Sequence, residues 1–316
     1  MKSLWGGQKI YNPVLTNASL GYRNRDFIGR KFATTLDLTN TMDLDIPIYD
    51  TSELEYKDHT RVPGSNFDKI SQIVAFKTLS SKWHSLAGTI PEEITRTYRD
   101  NVPFDIRNKI RGNVDSNLEL ELEYIISQYA QTVGNYAAAH SYSPVTKWDN
   151  LLTSTPVEDI QSMMDIMEDD CGMKPNVMVV SQDVWRILRT HPEITAYMGE
   201  NNQVKVGNFE VMRMIFVDSE SKEYPLDIVL GASFRQDPST GAFTKLWTKS
   251  VSLAYTVKGT LEYPEPTFLF LGITDNKEVY EYFTGDNNSN SINVQWKYGL
   301  QGGFNKAGAL LYDVLT

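Results

Sequence analysis

One polar stretch near the end of the chain carries side chains that could bind a metal ion. Asp286, Asn288 and Asn290 alternate along the sequence GDNNSNS, as the first three ligands of a calcium-binding loop do. That loop also requires a glycine at its sixth position and a bidentate glutamate at its twelfth, but Ser291 and Lys297 stand there. We therefore interpret the stretch as a polar turn and expect no metal site.

Histidine and cysteine, which carry much of protein chemistry, are few and scattered in this chain. The four histidines are His59, His84, His140 and His191, and the last directly precedes a proline, which is typical of a helix end. The single cysteine, Cys171, excludes an internal disulfide and a multi-thiolate metal site within one chain. We interpret Cys171 as a small buried side chain.

Sequence motifs of catalysis and phosphate binding are missing as well. The chain has no G-x-x-x-x-G-K-[ST], H-E-x-x-H or G-x-S-x-G. Gly299, Gly302 and Gly303 follow a predicted strand, but no helix begins after them to bind phosphate, so a flexible bend is predicted. The pair Asp169 and Asp170 is interpreted as the solvated end of a helix. We therefore predict no catalytic residue, no cofactor and no enzyme.

Composition narrows the class further. The 316 residues carry a net charge of -10, with 41% hydrophobic and 22% charged residues. This acidic balance argues against a dedicated nucleic-acid binder, although a surface that faces DNA without gripping it is compatible. No apolar run approaches the ~18 to 20 residues of a membrane span, and the first residues do not form a secretory signal. We expect synthesis and assembly in a cytoplasm.

Elements that could position functional groups are clearest between residues 148 and 197. Thr155 is predicted to cap a helix that begins at Pro156 and ends at Gly172. An apolar strand at 177–180 follows, and Ser181 is predicted to cap a second helix, which ends before Pro192. Apolar residues recur in the first helix at spacings of three and four, which predicts one buried face.

This unit resembles the central-domain signature of tailed-phage major capsid proteins with the HK97-like fold. The matching positions are Trp148, Gly172, Pro175, Asn176, Val177 to Val180, Leu188, His191 and Pro192. Any α/β domain with a buried strand between two helices would share part of this pattern. The remaining stretches follow the order of the same family.

The first 42 residues resemble the N-terminal arm of that family. Arg23, Arg25, Arg30 and Lys31 form a basic cluster among aromatic and aliphatic residues that are too apolar for a solvated tail. We predict an arm ordered by packing on a neighbouring subunit, with a disordered, cleavable tail as the alternative.

Residues 43–90 resemble the extended hairpin called the E-loop. Two strands are predicted, at 44–56 and 70–79, and an isolated two-stranded ribbon is marginal in water. A partner subunit could support it, and Glu53, Glu55 and Arg61 are candidates to contact that partner. The alternative is a hairpin that lies on its own domain.

The rest of the chain supplies two domains and a return segment. Residues 91–147 are predicted to form the peripheral (P) domain, whose spine helix runs from Pro103 to about Val133, with Glu119, Glu121 and Glu123 facing away from its apolar stripe. A coiled coil is the rival interpretation of that stripe. Residues 148–275 would form the axial (A) domain, a mixed sheet with flanking helices, strands at 209–217, 227–232, 246–257 and 267–273, and an axial loop at 199–207. Residues 276–316 would form a hairpin and a final strand that returns to the P domain.

The resemblance implies an α+β protein with the HK97-like capsid fold, and a major capsid protein as its function. Copies would assemble as pentamers and hexamers of an icosahedral or prolate shell around double-stranded phage DNA, in the virion. Scaffolding, portal and decoration proteins are possible partners, and no membrane is involved. The candidate intersubunit contacts are Arg23, Arg25, Arg30, Glu53, Glu55 and Arg61.

Two other functions fit parts of the sequence. An encapsulin-type compartment shell shares the fold and would need a groove for a cargo peptide. A cytoplasmic α/β enzyme with a long insertion would need a pocket with converging polar groups between residues 150 and 260.

Overall fold

A computed structural model describes most of the chain. The described residues are 10–11, 27–38, 41–48, 60, 75–94, 106–197, 207–216, 226–237, 239–257, 266–274, 276–285 and 288–316. The strands are β1 (Ile10–Tyr11), β2 (Thr34–Asp37), β3 (Asp43–Ile48), β4 (Ala75–Ser80), β5 (Lys82–Pro91), β6 (Ser141–Tyr142), β7 (Val177–Ser181), β8 (Asp227–Gly231), β9 (Phe234–Gln236), β10 (Phe243–Lys245), β11 (Val251–Ala254), β12 (Leu269–Ile273), β13 (Glu278–Thr284), β14 (Ser289–Gly302) and β15 (Gly308–Leu311). The helices are α1 (Gly29–Phe32), α2 (Ile106–Gln131), α3 (Pro156–Cys171), α4 (Gln182–Leu188), α5 (Pro192–Ala196) and α6 (Phe209–Phe216).

A six-stranded sheet is built around the long strand β14. Its order is β1-β13-β14-β12-β2, and β5 pairs with β14 as well. Residues 289–295 of β14 pair with both β13 and β5, so these two strands lie on opposite edges of β14. The hairpin predicted across the polar turn at 285–291 is confirmed by the pairing of β13 with β14.

A five-stranded sheet has the order β6-β15-β11-β7-β8. Its central strand pairs are antiparallel, whereas β8 and β6 join their neighbours in parallel. All five residues of β7 are buried, as the unbroken apolar run predicts for a strand covered on both faces. Alternate residues point to two different cores: Val177 and Val179 face one, Met178 and Val180 the other.

The long helix α2 covers one core. The predicted stripe is confirmed, because Val114, Leu118, Leu122 and Ile126 are buried against the six-stranded sheet. Helices α3 to α6 cover the other face of the five-stranded sheet and form the second core. The mixed sheets with helices packed on them confirm the predicted α+β class.

The prediction for the glutamates of α2 is wrong in part. Glu121 is half-exposed, but Glu119 and Glu123 are buried. An α-helix turns about 100° per residue, so a stripe with a spacing of four drifts by about 40° at each step. The stripe therefore reaches the side of the helix that carries Glu119 and Glu123, and the segment around α1 covers that side.

The unit between residues 148 and 197 is confirmed in its elements and corrected at its caps. Helix α3 ends at Gly172, which has the left-handed φ of 68° that glycine adopts most easily. Thr155 and Ser181 precede α3 and α4 as predicted, but neither side chain accepts a capping hydrogen bond. Glu193 accepts the hydrogen bond from the backbone nitrogen of Val157 instead, at 3.1 Å.

Residues 209–216 form the helix α6, so the strand predicted at 209–217 is wrong. The residues buried most deeply, Met212 and Phe216, are four apart, and Asn208 caps the helix by accepting a hydrogen bond from the backbone nitrogen of Val211 at 2.8 Å. A short apolar run does not by itself distinguish a strand from a buried helix. The helical spacing and the asparagine cap were the signals that distinguish them here.

The ends of two predicted segments lie in the sheets. Residues 28–38 were included in the arm, but Phe32 is fully buried and β2 pairs with β12 in the six-stranded sheet. The predicted hairpin extends to residue 90, but β5 belongs to the same sheet through β14. The final strand is predicted to return to the P domain; β15 pairs with β6, at residues 141–142 of the predicted P domain, and with β11.

Candidate assembly site

The buried carboxylate of Glu123 on α2 binds the backbone of the chain at Gly29. Glu123 accepts hydrogen bonds from the backbone nitrogen of Gly29 at 2.6 Å, from Nε1 of Trp247 at 2.8 Å and from Oγ of Ser233 at 3.3 Å. Burial raises the pKa of Glu123, and these hydrogen bonds oppose that rise. Glu123 thus connects the backbone at Gly29, the helix α2 and the residues Ser233 and Trp247.

A cluster of charges lies one helical turn away. Glu119 contacts two cations, Nη2 of Arg30 at 2.8 Å and Nζ of Lys277 at 2.9 Å. Both cations also lie over the ring of Trp296, at 4.9 Å and 4.6 Å from its centroid. Nη2 of Arg30 donates to both oxygens of Glu119 and the guanidinium also has the cation–π contact, so the position of Arg30 is well defined.

The cluster continues to a carboxylate with weaker contacts. Asp115 is fully buried, and its nearest cations are Arg111 at 3.5 Å and Lys277 at 3.8 Å. Both distances exceed a good hydrogen bond, so burial dominates and raises the pKa of Asp115. Burial likewise lowers the pKa of Arg111.

The base of the predicted hairpin is present as a two-stranded ribbon. β3 and β4 pair in antiparallel register from Asp43 with Ser80 to Ile48 with Ala75. Ile46 and Leu79 are buried in a small core with Leu36, Leu38 and Phe270. The ribbon is therefore anchored on its own chain, and the residues between Ile48 and Ala75, apart from Thr60, lie outside the described part.

The described histidines all have structural contacts. His140 is buried between the carbonyl oxygen of Gly308 at 3.0 Å and Oδ2 of Asp170 at 2.9 Å. The hydrogen bond with His140 lowers the pKa of the Asp170 carboxyl. Asp170 is therefore a partner of a buried side chain and not simply a solvated residue at a helix end. His84 stacks on Tyr298 with 3.8 Å between the ring centroids.

His191 and Ser154 form the arrangement that most resembles a nucleophile with its base. Oγ of Ser154 lies 3.0 Å from Nε2 of His191. Nδ1 of His191 accepts a hydrogen bond from the backbone nitrogen of Glu193 at 3.3 Å, so Nε2 carries the proton of the neutral ring. Ser154 donates its own proton to the carbonyl oxygen of Asn150 at 2.7 Å. The ring is therefore in the wrong tautomer to take a proton from Ser154.

Among the residues that the structure describes, no group of three or more histidine, cysteine, aspartate or glutamate side chains could hold a metal ion. A groove beside the ribbon is lined by Ile46, Lys77, Phe270 and Phe304 and lies outside residues 150–260. Within the described chain, no helix combines the length and apolar character needed to cross a bilayer.

Comparison with known proteins relates this architecture to phage shells. The family model described as "Phage major capsid protein E" matches residues 137–260. A curated major capsid protein of Burkholderia phage BcepMu is 21% identical over 252 residues, covering 78% of this chain and 76% of that protein. The crystal structure of a phage-related protein from Bordetella bronchiseptica superposes with a TM-score of 0.74 at 20% identity, over 97% of this chain and 98% of that one. The mature capsid of bacteriophage PhiM1 gives a TM-score of 0.56 at 10% identity, over 99% and 91%.

This chain has the HK97-like capsid fold. The resemblance to tailed-phage major capsid proteins stated from the sequence is thereby confirmed. Helix α2 covers most of the residues predicted for the spine helix, and β3 and β4 lie within residues 43–90, the segment predicted as the E-loop.

The candidate contacts of this HK97-like protein fall mostly outside the described residues. Those outside are Arg23, Arg25, Glu53, Glu55 and Arg61. Arg30 is described and binds Glu119 of its own chain, with 37% of its side chain exposed. It stays a prediction that these six residues contact neighbouring subunits. The division of the chain into arm, E-loop, P domain and A domain also stays a prediction.

The burial of the charged residues that contact the chain around Gly29 and Arg30 was not predicted from the sequence. Glu119, Glu123 and Lys277 are charged, and a charged residue is ordinarily placed at the surface. A signal was nevertheless present: Gly29 and Trp247 both offer N–H groups that need an acceptor when buried. Their separation in the sequence hides that they meet at one carboxylate.

Proposed function

We propose that this chain is the major capsid protein of a tailed phage, a structural subunit whose copies form pentamers and hexamers of a closed shell. The shell is icosahedral or prolate and encloses double-stranded DNA in the virion, and assembly takes place in the host cytoplasm. The observation that carries the proposal is the likeness to phage capsid proteins over more than three quarters of the chain, in sequence and in fold.

The geometry supports this function. The two sheets and α2 hold the ribbon of β3 and β4 and the chain around Gly29 through buried contacts. Segments anchored in this way can extend to neighbours and increase the buried area without enlarging the core. Repeated contacts of this kind close into shells when they obey symmetry.

The net charge of -10 also suits a shell that encloses DNA without gripping it. A subunit of this charge lacks the excess of lysine and arginine that neutralises phosphate in dedicated DNA-binding proteins. Scaffolding, portal and decoration proteins are the further partners that such a shell would use.

Sedimentation of the purified protein followed by electron microscopy tests the proposal. We expect fast-sedimenting shells, or rings of five and six. A stable monomer or dimer at all salt concentrations, with scaffold candidates added, would contradict it. The contents of the shells then separate a capsid from a compartment shell, because only the latter would retain a protein cargo.

A further inference from the structure

The six-stranded sheet ends at a short strand from the beginning of the chain. β1 pairs with β13 in antiparallel register, with Ile10 opposite Glu281 and Tyr11 opposite Tyr280. All seven residues of β13 pair on their other side with β14, so β1 occupies the outer edge of β13. The structure thus shows a segment of this chain seated on that edge through its backbone.

The outer edge of β13 is longer than the strand that occupies it. Among the residues that the structure describes, two of the seven in β13 have a partner on this edge. The next two residues, Tyr282 and Phe283, are 46% and 57% exposed, so solvent reaches the strand there. An open strand edge is a template for pairing with another chain.

β1 is held weakly within its own chain. It forms two residue pairs, and no further strand of the described chain lies beyond it in the sheet. Even a longer two-stranded ribbon is marginal in water, and the ends of a fold open at little cost in free energy. The same backbone pairs form whether β1 comes from this chain or from an identical one, so an exchange loses no contact.

The two edge strands near the start of the chain lie on one side of β14. β12 and β13 both lie opposite β5, so they share an edge of β14. β1 is level with residues 292–293 of β14, and β2 is level with residues 298–301. They are therefore about seven residues apart along β14, or roughly 23 Å.

The connection between β1 and the core has a longer reach than this spacing. Residues 12–26 separate Tyr11 from Phe27, the next described residue. A chain of that length spans up to roughly 50 Å. The covalent connection therefore allows β1 to pair with the same edge of an adjacent copy.

The core end of the connection is fixed in position. Glu123 accepts the hydrogen bond from the backbone nitrogen of Gly29, and Glu119 binds Arg30. Phe32, one turn later, is fully buried. Each copy therefore starts the connection from the same point, as repeated contacts in a symmetric assembly require.

We infer that, in the assembled shell, residues 10 and 11 of one copy pair with the outer edge of β13 in a neighbouring copy. The inference rests on the proposed function, because a shell holds identical chains side by side. The occupant is a second copy of this chain, since residues 10 and 11 already align with that edge in a defined register. Each copy donates one strand and accepts one, which is a head-to-tail contact of the kind that closes into rings. Neighbours held in a shell also present the strand at a high effective concentration.

Engineered disulfides test the exchange in the full chain. Ile10→Cys and Glu281→Cys are made in separate chains, which are mixed, assembled and then oxidised. Residues directly opposite each other on antiparallel strands have Cα atoms about 4.5 to 5.5 Å apart, within the range of a disulfide. We expect a covalent dimer that contains one chain of each kind.

Three controls show whether that dimer reports on this pairing. Cys171 is the single native cysteine and is buried, so the unmodified chain measures background oxidation. Each variant assembled alone lacks the opposite cysteine and should give no dimer above that background. Asn117→Cys, exposed on α2 and not on β13, replaces Glu281→Cys in a second mixture and should give no dimer with Ile10→Cys.

A backbone substitution measures how much the exchange contributes to assembly. Ile10→Pro combined with Tyr11→Pro removes both N–H groups of β1. This variant should need a protein concentration roughly tenfold higher for assembly, whereas Ile10→Val combined with Tyr11→Phe should assemble like the unmodified chain. Thermal unfolding of the unassembled proline variant should match that of the unmodified chain, because β1 adds only two residue pairs to the sheet.

The outcomes separate this inference from the proposed function. Shells that form without the mixed dimer would overturn the exchange and leave the shell function standing. Assembly of the proline variant at the concentration of the unmodified chain would overturn it as well. If the unmodified chain forms neither rings nor shells, the shell function fails and the exchange fails with it.

Discussion

At the scale of single residues, Glu123 shows how a charged group can become a structural centre. Its two oxygens accept hydrogen bonds from the backbone nitrogen of Gly29, from Nε1 of Trp247 and from Oγ of Ser233. Each of these donors is buried and would lose its partner if the carboxylate were removed. An unsatisfied buried donor costs about 1 to 3 kcal/mol, so removal of the carboxylate alone would destabilise the folded chain.

Glu123→Ala should therefore lower the free energy of unfolding by about 2 to 4 kcal/mol, measured by urea denaturation of the unassembled protein. Glu121→Ala is the matched control on the same helix, since its side chain is 46% exposed and forms its ion pair with His84. The control should cost less than about 1 kcal/mol. Equal losses for the two variants would contradict the role of Glu123.

His191 gives the molecule a pH dependence of predictable sign. Burial lowers the pKa of His191 in the folded protein below its ordinary value of about 6.5. As the pH falls, the unfolded chain therefore takes up a proton before the folded protein does. The contribution of neutral His191 to the free energy of unfolding is therefore complete above about pH 6.5. It is lost as the pH falls from there toward the pKa of His191 in the folded protein.

Denaturation between pH 7.5 and about 5 should show this loss in the unmodified chain and a smaller loss in His191→Asn. Asparagine can still accept the hydrogen bond from the backbone nitrogen of Glu193, but it does not titrate. Burial raises the pKa of Glu193, which has the opposite effect on stability as the pH falls, and the comparison cancels it because both chains contain Glu193. Identical pH profiles would count against the histidine.

At the scale of elements, the start of α3 distinguishes what the sequence suggests from what the structure uses. Thr155 stands at the capping position but is exposed and accepts no hydrogen bond from the helix. Glu193, which lies in α5, accepts the hydrogen bond from the backbone nitrogen of Val157. The cap is therefore a tertiary contact between two helices.

Thr155→Ala should change the free energy of unfolding by less than about 0.5 kcal/mol, whereas Glu193→Ala should lower it by about 1 kcal/mol or more. Thermal or urea unfolding of both variants checks the prediction. A larger loss of unfolding free energy for Thr155→Ala than for Glu193→Ala would show that Thr155 caps α3 and would contradict the tertiary cap.

Local patterns predicted those elements whose signals are contained within them. The long helix α2, the strand β7, the end of α3 at Gly172 and the hairpin of β13 with β14 all match their predictions. What failed depends on distant parts of the chain. The burial of Glu119 depends on Arg30 and Lys277, and the hydrogen bond at the start of α3 depends on Glu193.

The candidate site was less predictable than the fold for the same reason. Arg30 was identified as an interfacial residue from the basic cluster around it, but its ion pair with Glu119 spans 89 residues of sequence. A single sequence gives no direct signal for such a pair.

At the scale of the whole molecule, the structure sharpens the test of the extended hairpin. Deleting residues 43–88, as the predicted boundaries suggest, would also remove most of β5, which pairs with β14 and packs Gly88 against Ile110. Such a variant would fail to fold for reasons unrelated to assembly. The informative deletion removes only residues 49–74.

Replacing residues 49–74 by Asn-Gly should leave a folded protein that does not assemble into shells. Ile48 and Ala75 are paired, so a two-residue turn can close the ribbon. Circular dichroism and thermal unfolding check folding, and sedimentation checks assembly. Closed shells from this variant would show that the hairpin is dispensable.

The core beneath α3 to α6 contains Met163, Met164, Met167, Met178 and Met212, all of them buried. Methionine is unbranched and fills gaps of changing shape, so this layer of helices can shift over its sheet while keeping its packing. Subunits in rings of five and of six meet their neighbours at different angles. In the proposed shell, the methionine layer would let one sequence pack in both surroundings, whereas branched side chains in its place would restrict the protein to one of them.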